Sequence, residues 1–280
     1  GKADTEELWR SIRLITSRDN DIFLRADGVG YLHVPEIVAG LGIVESPDEV
    51  PIRVERADGS THTVELSPVW NLDYAQLLSA REARGAKTPL HLSNRSDNYW
   101  YRLLPESKIV YVQYNRARDQ VNETVADFSR RLDDTLRANP DYALVVDLRH
   151  NGGGDSTLNS VLISTIAGSR ANQTGKLFVV VGRTTFSAAQ NCACDFEQRT
   201  NAIFVGEPTG SSPNFVGESG PRRLPWSGFE YSISWAYHQH SSPFDTRKWI
   251  PPDICAEETF EDYACGRDPC LDAVMSLVRE

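Results

Sequence analysis

No apolar run in this sequence approaches the roughly 18 to 20 residues that a membrane span needs, and Gly1-Lys2-Ala3-Asp4 does not begin a secretory leader. A soluble protein is expected. Basic residues are few: 29 lysines and arginines face 39 acids, a net charge of -10. With no basic run longer than Arg222-Arg223, neither nucleic acid nor an anionic membrane is expected as a partner. Cysteine is scarce too. Neither the pair Cys192 and Cys194 nor the late trio Cys255, Cys265 and Cys270 has a histidine at zinc-finger spacing, so no metal site is expected. The trio leaves room for a disulfide pinning the tail, with at least one of the five thiols left over. There is no internal repeat and no low-complexity tract.

With 280 residues and 40% hydrophobic content, the chain can bury one sizeable core and carry a smaller second unit. Leu8, Ile12 and Ile15 share one face of a helix over residues 5 to 17, begun by Thr5 and the acids behind it. Pro51 to Arg56 and Thr61 to Leu66 alternate at period two around Asp58-Gly59, the pattern of a β-hairpin. Residues 1–68 are therefore expected to form a small mixed unit, 69–98 a polar linker, and 99–280 the main domain. In that domain Lys108 to Tyr114, Ala143 to Leu148, Leu177 to Val181 and Ala202 to Val205 read as strands of a parallel sheet covered on both faces. Between them Val125, Phe128, Leu132 and Leu136 make one helical stripe; Leu158, Val161, Leu162, Thr165 and Ile166 make another. Phe229 to Trp235 alternates as a later strand, and Asp268 to Val278 reads as a closing helix. Trp226, Trp235 and Trp249 read as core or groove walls. The fold class is layered α/β with a mainly parallel sheet.

Two segments carry chemistry. Asp147-Leu148-Arg149-His150-Asn151-Gly152-Gly153-Gly154 follows one buried strand, and Thr184-Thr185-Phe186-Ser187-Ala188-Ala189-Gln190 follows the next. Consecutive glycines let the backbone turn tightly and present N–H groups to an incoming oxygen, while a serine at a helix start sits beside polarised amides. An ordinary turn and an N-cap would use the same residue types. The two in tandem, with Gly206-Glu207-Pro208-Thr209-Gly210 behind them, favour a nucleophile and its oxyanion hole.

These motifs, followed by Pro251-Pro252-Asp253-Ile254, resemble the serine peptidase family of C-terminal processing (tail-specific) proteases, tricorn cores and interphotoreceptor retinoid-binding modules. The resemblance covers roughly residues 99–280. It implies a crotonase/ClpP-like core and makes residues 1–68 part of a PDZ-like or cap region, entered at its middle, so that the chain is expected to be clipped at its N-terminus. It also implies Ser187 as nucleophile and the amides of Ala188 and of Gly152 or Gly153 as oxyanion donors. No cofactor is implied, and the partner is a peptide or protein substrate.

A serine hydroxyl needs a base. Processing proteases of the family place a lysine after G-E-P-T, where this chain has Ser212, so a serine–lysine dyad is excluded. Tricorn-like members use a histidine and an acid, which implies Asp245 as the orienting acid and places the histidine upstream of the PDZ-like region. Within the chain His150, beside the glycines, is the candidate base, with His238 and His240 as alternatives; Asp245 could equally pair with Arg247 or cap a turn. His33, His62 and His91 read as surface residues. Glu207 and Glu218 could bind a substrate amine or close their own loop. The sequons at Asn94, Asn122 and Asn172 point to a glycosylated, secreted or extracytoplasmic protein. The expectation is a serine hydrolase acting on peptide or amide bonds; a silent binding module and an acyl-transfer enzyme on the same fold are the alternatives.

Overall fold

A computed structural model describes residues 4–56, 58–69 and 77–278, and the chain divides into two units between Leu78 and Ser79. In the first unit, helices α1 (Thr5–Ile15), α2 (Asp21–Tyr31) and α3 (Pro35–Gly40) precede an antiparallel hairpin of β1 (Val50–Glu55) and β2 (Thr61–Leu66). Asp4, not Thr5, caps α1, accepting the Glu7 N–H at 2.8 Å. Ile12 on its apolar face is fully buried.

The second unit absorbs much of the expected linker. Residues 70–76 lie outside the described residues, while α4 (Ala80–Ala83) packs on a late helix and Arg84 pairs with Glu261 at 3.0 Å. Then follow β3 (Tyr99–Leu104), β4 (Ile109–Tyr114), α5 (Val125–Ala138), β5 (Ala143–Asp147), α6 (Asn159–Ala167), β6 (Leu177–Val181), α7 (Ala188–Arg199) and β7 (Ile203–Gly206). The rest comprises β8 (Asn214–Gly217), β9 (Pro221–Arg223), β10 (Glu230–Ser232), β11 (Ala236–Gln239), β12 (Ile254–Cys255), α8 (Phe260–Cys265) and α9 (Pro269–Val278). One sheet runs in the order β12-β7-β6-β5-β4-β3, parallel throughout except for the edge strand β3.

Alternation along these strands sorts their side chains into two cores. Val110, Val112, Leu144, Val146 and Val179 pack with residues of α5, α6 and α7, including Phe128, Leu162 and Phe196. Ile109, Tyr111, Val145, Phe178 and Val180 pack with Leu271 and Val274 of α9. Both faces being covered explains the uninterrupted apolar runs.

Three expectations are corrected. Of Phe229 to Trp235 only β10 is strand, paired with β9 in a two-stranded ribbon beside the ribbon of β8 and β11. Among the described residues none covers the tryptophans there: Trp226 is 100% and Trp235 74% exposed, so neither is a wall of a core. All five cysteines are free thiols, and no disulfide pins the tail.

An ion pair holds the tail instead. Arg149, directly after β5, reaches Asp147 at 2.8 Å and Asp268, at the start of α9, at 2.9 Å, with all three side chains nearly buried. Asp147 also accepts the Tyr111 hydroxyl at 2.6 Å. Burial works to raise the Asp147 pKa, but the Arg149 charge and hydrogen bonds outweigh it and hold it below the usual carboxylate value. Arg149→Leu strands two buried carboxylates and is expected to cost about 3–5 kcal/mol. Arg137→Leu, which removes the exposed pair with Asp133, is expected to cost about 0–1 kcal/mol. Urea denaturation of both variants measures the difference; equal losses would contradict the role given to Arg149.

Candidate functional site

The ends of β5 and β6 are joined side by side by the residues that follow them. Leu148 N–H donates to Val180 O at 2.8 Å, continuing the ladder past the strand. The Thr185 hydroxyl donates to Leu148 O at 3.1 Å, the Thr184 hydroxyl to Arg149 O, and Phe186 N–H to Asn151 O at 3.1 Å. Asn151, fully buried, is held at every polar group: its amide donates to Leu148 O, its Nδ2 to Tyr114 O at 2.9 Å, and its Oδ1 accepts Gly153 N–H at 2.9 Å.

Ser187 therefore lands against the glycine turn. A Cβ built on Gly153 would sit 2.8 Å from Ser187 Cβ, 3.2 Å from Ser187 Oγ and 3.1 Å from Ala188 N. Gly153 also has φ +116°, which other residues rarely adopt. No side chain fits here, so only glycine lets the turn approach both the hydroxyl and the first amide of α7 this closely. Ser187 itself has φ 54°, a strained value for an L-residue, and makes no capping bond, so its hydroxyl is not absorbed in holding the helix start. Ala188 N–H is one of the four amides with no acceptor inside the helix, at its positive end.

Of the expected oxyanion donors, Ala188 is beside the serine and Gly152 borders open space. The Gly153 amide is already directed at Asn151 Oδ1. His150, the expected base, is bonded to another histidine: its Nε2 lies 2.9 Å from Nδ1 of His91, the rings stacked at 5.1 Å. His91 is not a surface residue but 3% exposed, and its Nε2 has no partner. Burial lowers both, His91 to about 4 and His150 to about 3, with the charges of Arg149 and Arg95 opposing protonation of both as well. A base of that strength is too weak to activate a serine near neutral pH.

Asp245 is not in contact with a histidine either. Its oxygens accept from Arg247, at 2.8 Å for Nη2, and from the Ser241 hydroxyl at 2.7 Å, and these bonds hold its pKa well below the usual carboxylate value. Glu207 pairs with Arg183 at 2.5 Å, and the Ser212 hydroxyl reaches Lys248 O at 3.3 Å. Two histidines do face carboxylates: His240 with Asp195 at 3.2 Å and His238 with Glu218 at 3.5 Å. His238 stacks at 5.1 Å on Phe215, which meets Phe186, the neighbour of Ser187, at 6.5 Å. Glu218 is another non-glycine residue with positive φ, 54°. Sequence reading missed Asn151, Thr184 and Thr185 as loop fasteners; a threonine pair just before the serine was the available signal. Among the described residues, no cluster of three or more potential ligands could hold a metal.

In fold the chain is similar to solved peptidase structures. They include a candidate peptidase from Parabacteroides merdae and mature CPAF, alone and complexed with lactacystin. The first has a TM-score of 0.50 at 17% identity, covering 100% of this chain and 90% of that one. CPAF alone gives 0.53 at 12% identity, covering 83% of this chain and 68% of that one; the complex gives 0.51 at 12%, covering 88% and 73%. At such identities the likeness is one of fold. No protein-family model and no curated protein matches the sequence.

The histidine pair sets a pH limit. Both folded pKa values are depressed, so the pair's contribution to stability is whole above the ordinary histidine value near 6.5 and is lost as pH falls from there through about 4 and about 3. Two protons taken up only by the unfolded chain give a slope of at most about 2.7 kcal/mol per pH unit. Urea midpoints across that range measure it, and a His91→Gln variant with an unchanged slope would contradict it.

Proposed function

We propose that the protein is a serine hydrolase that cleaves peptide or amide bonds through an acyl-enzyme on Ser187. The observation that carries this reading is the close approach of Gly153 to Ser187, where a Cβ would meet Ser187 Cβ at 2.8 Å and Ala188 N at 3.1 Å, so that the glycine turn, the hydroxyl and the first amide of α7 lie together. A scissile carbonyl seated beside that contact puts its carbon against Oγ and its oxygen toward Ala188 N–H and the glycine turn. The serine Oγ attacks, its proton passes to a base, the tetrahedral oxyanion collapses, and the base returns the proton to the leaving amine; water then repeats the sequence on the acyl-enzyme.

The base in this reading is a histidine oriented by a carboxylate. His238 with Glu218 is favoured over His240 with Asp195, because its ring stack leads through Phe215 to Phe186. A modest shift of the β8–β11 ribbon has to bring it within reach, as catalytic contacts often tighten only with substrate bound. The finer fold assignment, a crotonase/ClpP-like core with a PDZ-like or cap first unit, belongs to the same proposal. So does an extracytoplasmic location, for which Asn122 is an exposed sequon.

One observation favours the silent binding module: Gly153 N–H, an expected oxyanion donor, is tied to Asn151. A fluorophosphonate probe separates the two readings. Labelling of wild type, abolished by Ser187→Ala and slowed about 10²- to 10⁴-fold by His238→Gln, is expected. Tight peptide binding with no covalent labelling would establish the binding module, and full labelling of His238→Gln would remove that histidine as base.

A further inference from the structure

We propose that Tyr114 and Asn159 are positioning residues for Ser187, holding the serine's backbone in the strained conformation that presents its hydroxyl for reaction. The inference rests on the serine hydrolase reading and adds to it the side chains that set the nucleophile. They act through the backbone on either side of the serine, not on the reacting atoms.

Asn159 stands where packing alone calls for an apolar residue. Helix α6 buries positions 159, 162, 163 and 166, one helical face, and the other three are Leu162, Ile163 and Ile166. An asparagine 1% exposed at the head of that stripe carries a desolvation cost that a leucine would not. Both ends of its amide are used: Nδ2 donates to Ala188 O at 2.8 Å, and Oδ1 accepts the Tyr114 hydroxyl at 3.1 Å. Tyr114, fully buried at the end of β4, is bonded a second time through its carbonyl, which accepts Asn151 Nδ2 at 2.9 Å. Burial raises the pKa of its hydroxyl, which therefore keeps its proton and donates.

These bonds close a ring around the serine. From Tyr114 one arm runs through Asn151, whose carbonyl accepts Phe186 N–H at 3.1 Å; the other runs through Asn159 to the Ala188 carbonyl. The residues directly before and after Ser187 are thus fastened to a single residue of β4, two strands from β6 in the sheet. Between them Ser187 has φ 54°, a conformation that persists only where its surroundings over-determine it. Two fixed neighbours meet that condition, and loss of Asn159 leaves one. The buried polar side chains therefore bracket the one residue whose hydroxyl the reaction needs.

Tyr114→Phe, Asn159→Leu and the double variant test this against the wild type, with matching circular dichroism spectra as the check of folding; Asn159→Ala serves if the leucine variant does not fold. Fluorophosphonate labelling is expected to slow about 10- to 100-fold in each single variant, as for a nucleophile displaced by a fraction of an ångström. The double variant is expected to be no slower than the slower single one, because both side chains act through one path. The Kd for a tagged peptide, measured in the Ser187→Ala background, is expected to stay within about threefold, since the loss falls on reaction and not on binding. Crystal structures of the wild type and the Asn159 variant give a readout that needs no activity: Ser187 φ is expected to be positive in the first and negative in the second. Unchanged labelling, losses that multiply in the double variant, an equal loss of peptide affinity, or the same φ in both structures would overturn the assignment. A wild type that is not labelled sinks the hydrolase reading, and the change in φ then decides this inference alone.

Discussion

The hydroxyl of Thr185 on the carbonyl of Leu148 is the contact on which the rest of the site depends. Strands β5 and β6 run parallel and end together, but their following loops have no ladder to hold them. Threonine side chains and one backbone amide extend the pairing past the sheet, residue by residue, until Ser187 meets Gly153. Arg149 anchors one of these loops to Asp147 and to α9, so the glycine turn is tied to the tail of the chain as well as to its neighbour. Backbone strain at Ser187 is held by this framework of bonds between the two loops.

The sheet and its helices could be read from the sequence because their physics is repetitive. Continuous apolar runs locate β4 to β7 within a residue or two, and the stripe from Val125 to Leu136 is α5. Strand β3 could not be read this way: Tyr99-Trp100-Tyr101-Arg102 lies on an edge, half covered, with no clean period. The linker expected over 69–98 rested on polarity, yet its later part folds onto the second unit through a few polar contacts such as Arg84 with Glu261. Trp226 and Trp235 mislead in the opposite direction, since aromatic character alone does not say whether a covering layer exists.

At the candidate site the glycine turn and the serine were legible, because close backbone approach and helix-start chemistry leave residue-type signatures. The proton path was not. His150 is adjacent in sequence to the turn, but its ring is stacked on His91 and its Nε2 is bonded there. Asp245 is likewise drawn to Arg247, two residues away, because a local bidentate pair outcompetes a distant partner. His238 enters only through packing, Phe215 against Phe186, which no linear spacing reveals.

The central claim is that the Ser187 hydroxyl, the Ala188 amide and the glycine turn, which lie in close contact, act on one substrate carbonyl. A crystal structure of the protein reacted with a peptide phosphonate tests it most directly. The account predicts a covalent bond to Ser187 Oγ with a phosphonyl oxygen within hydrogen-bond distance of Ala188 N and seated over Gly153. An adduct whose oxygen points to solvent, or one attached elsewhere with Ser187 untouched, would contradict it.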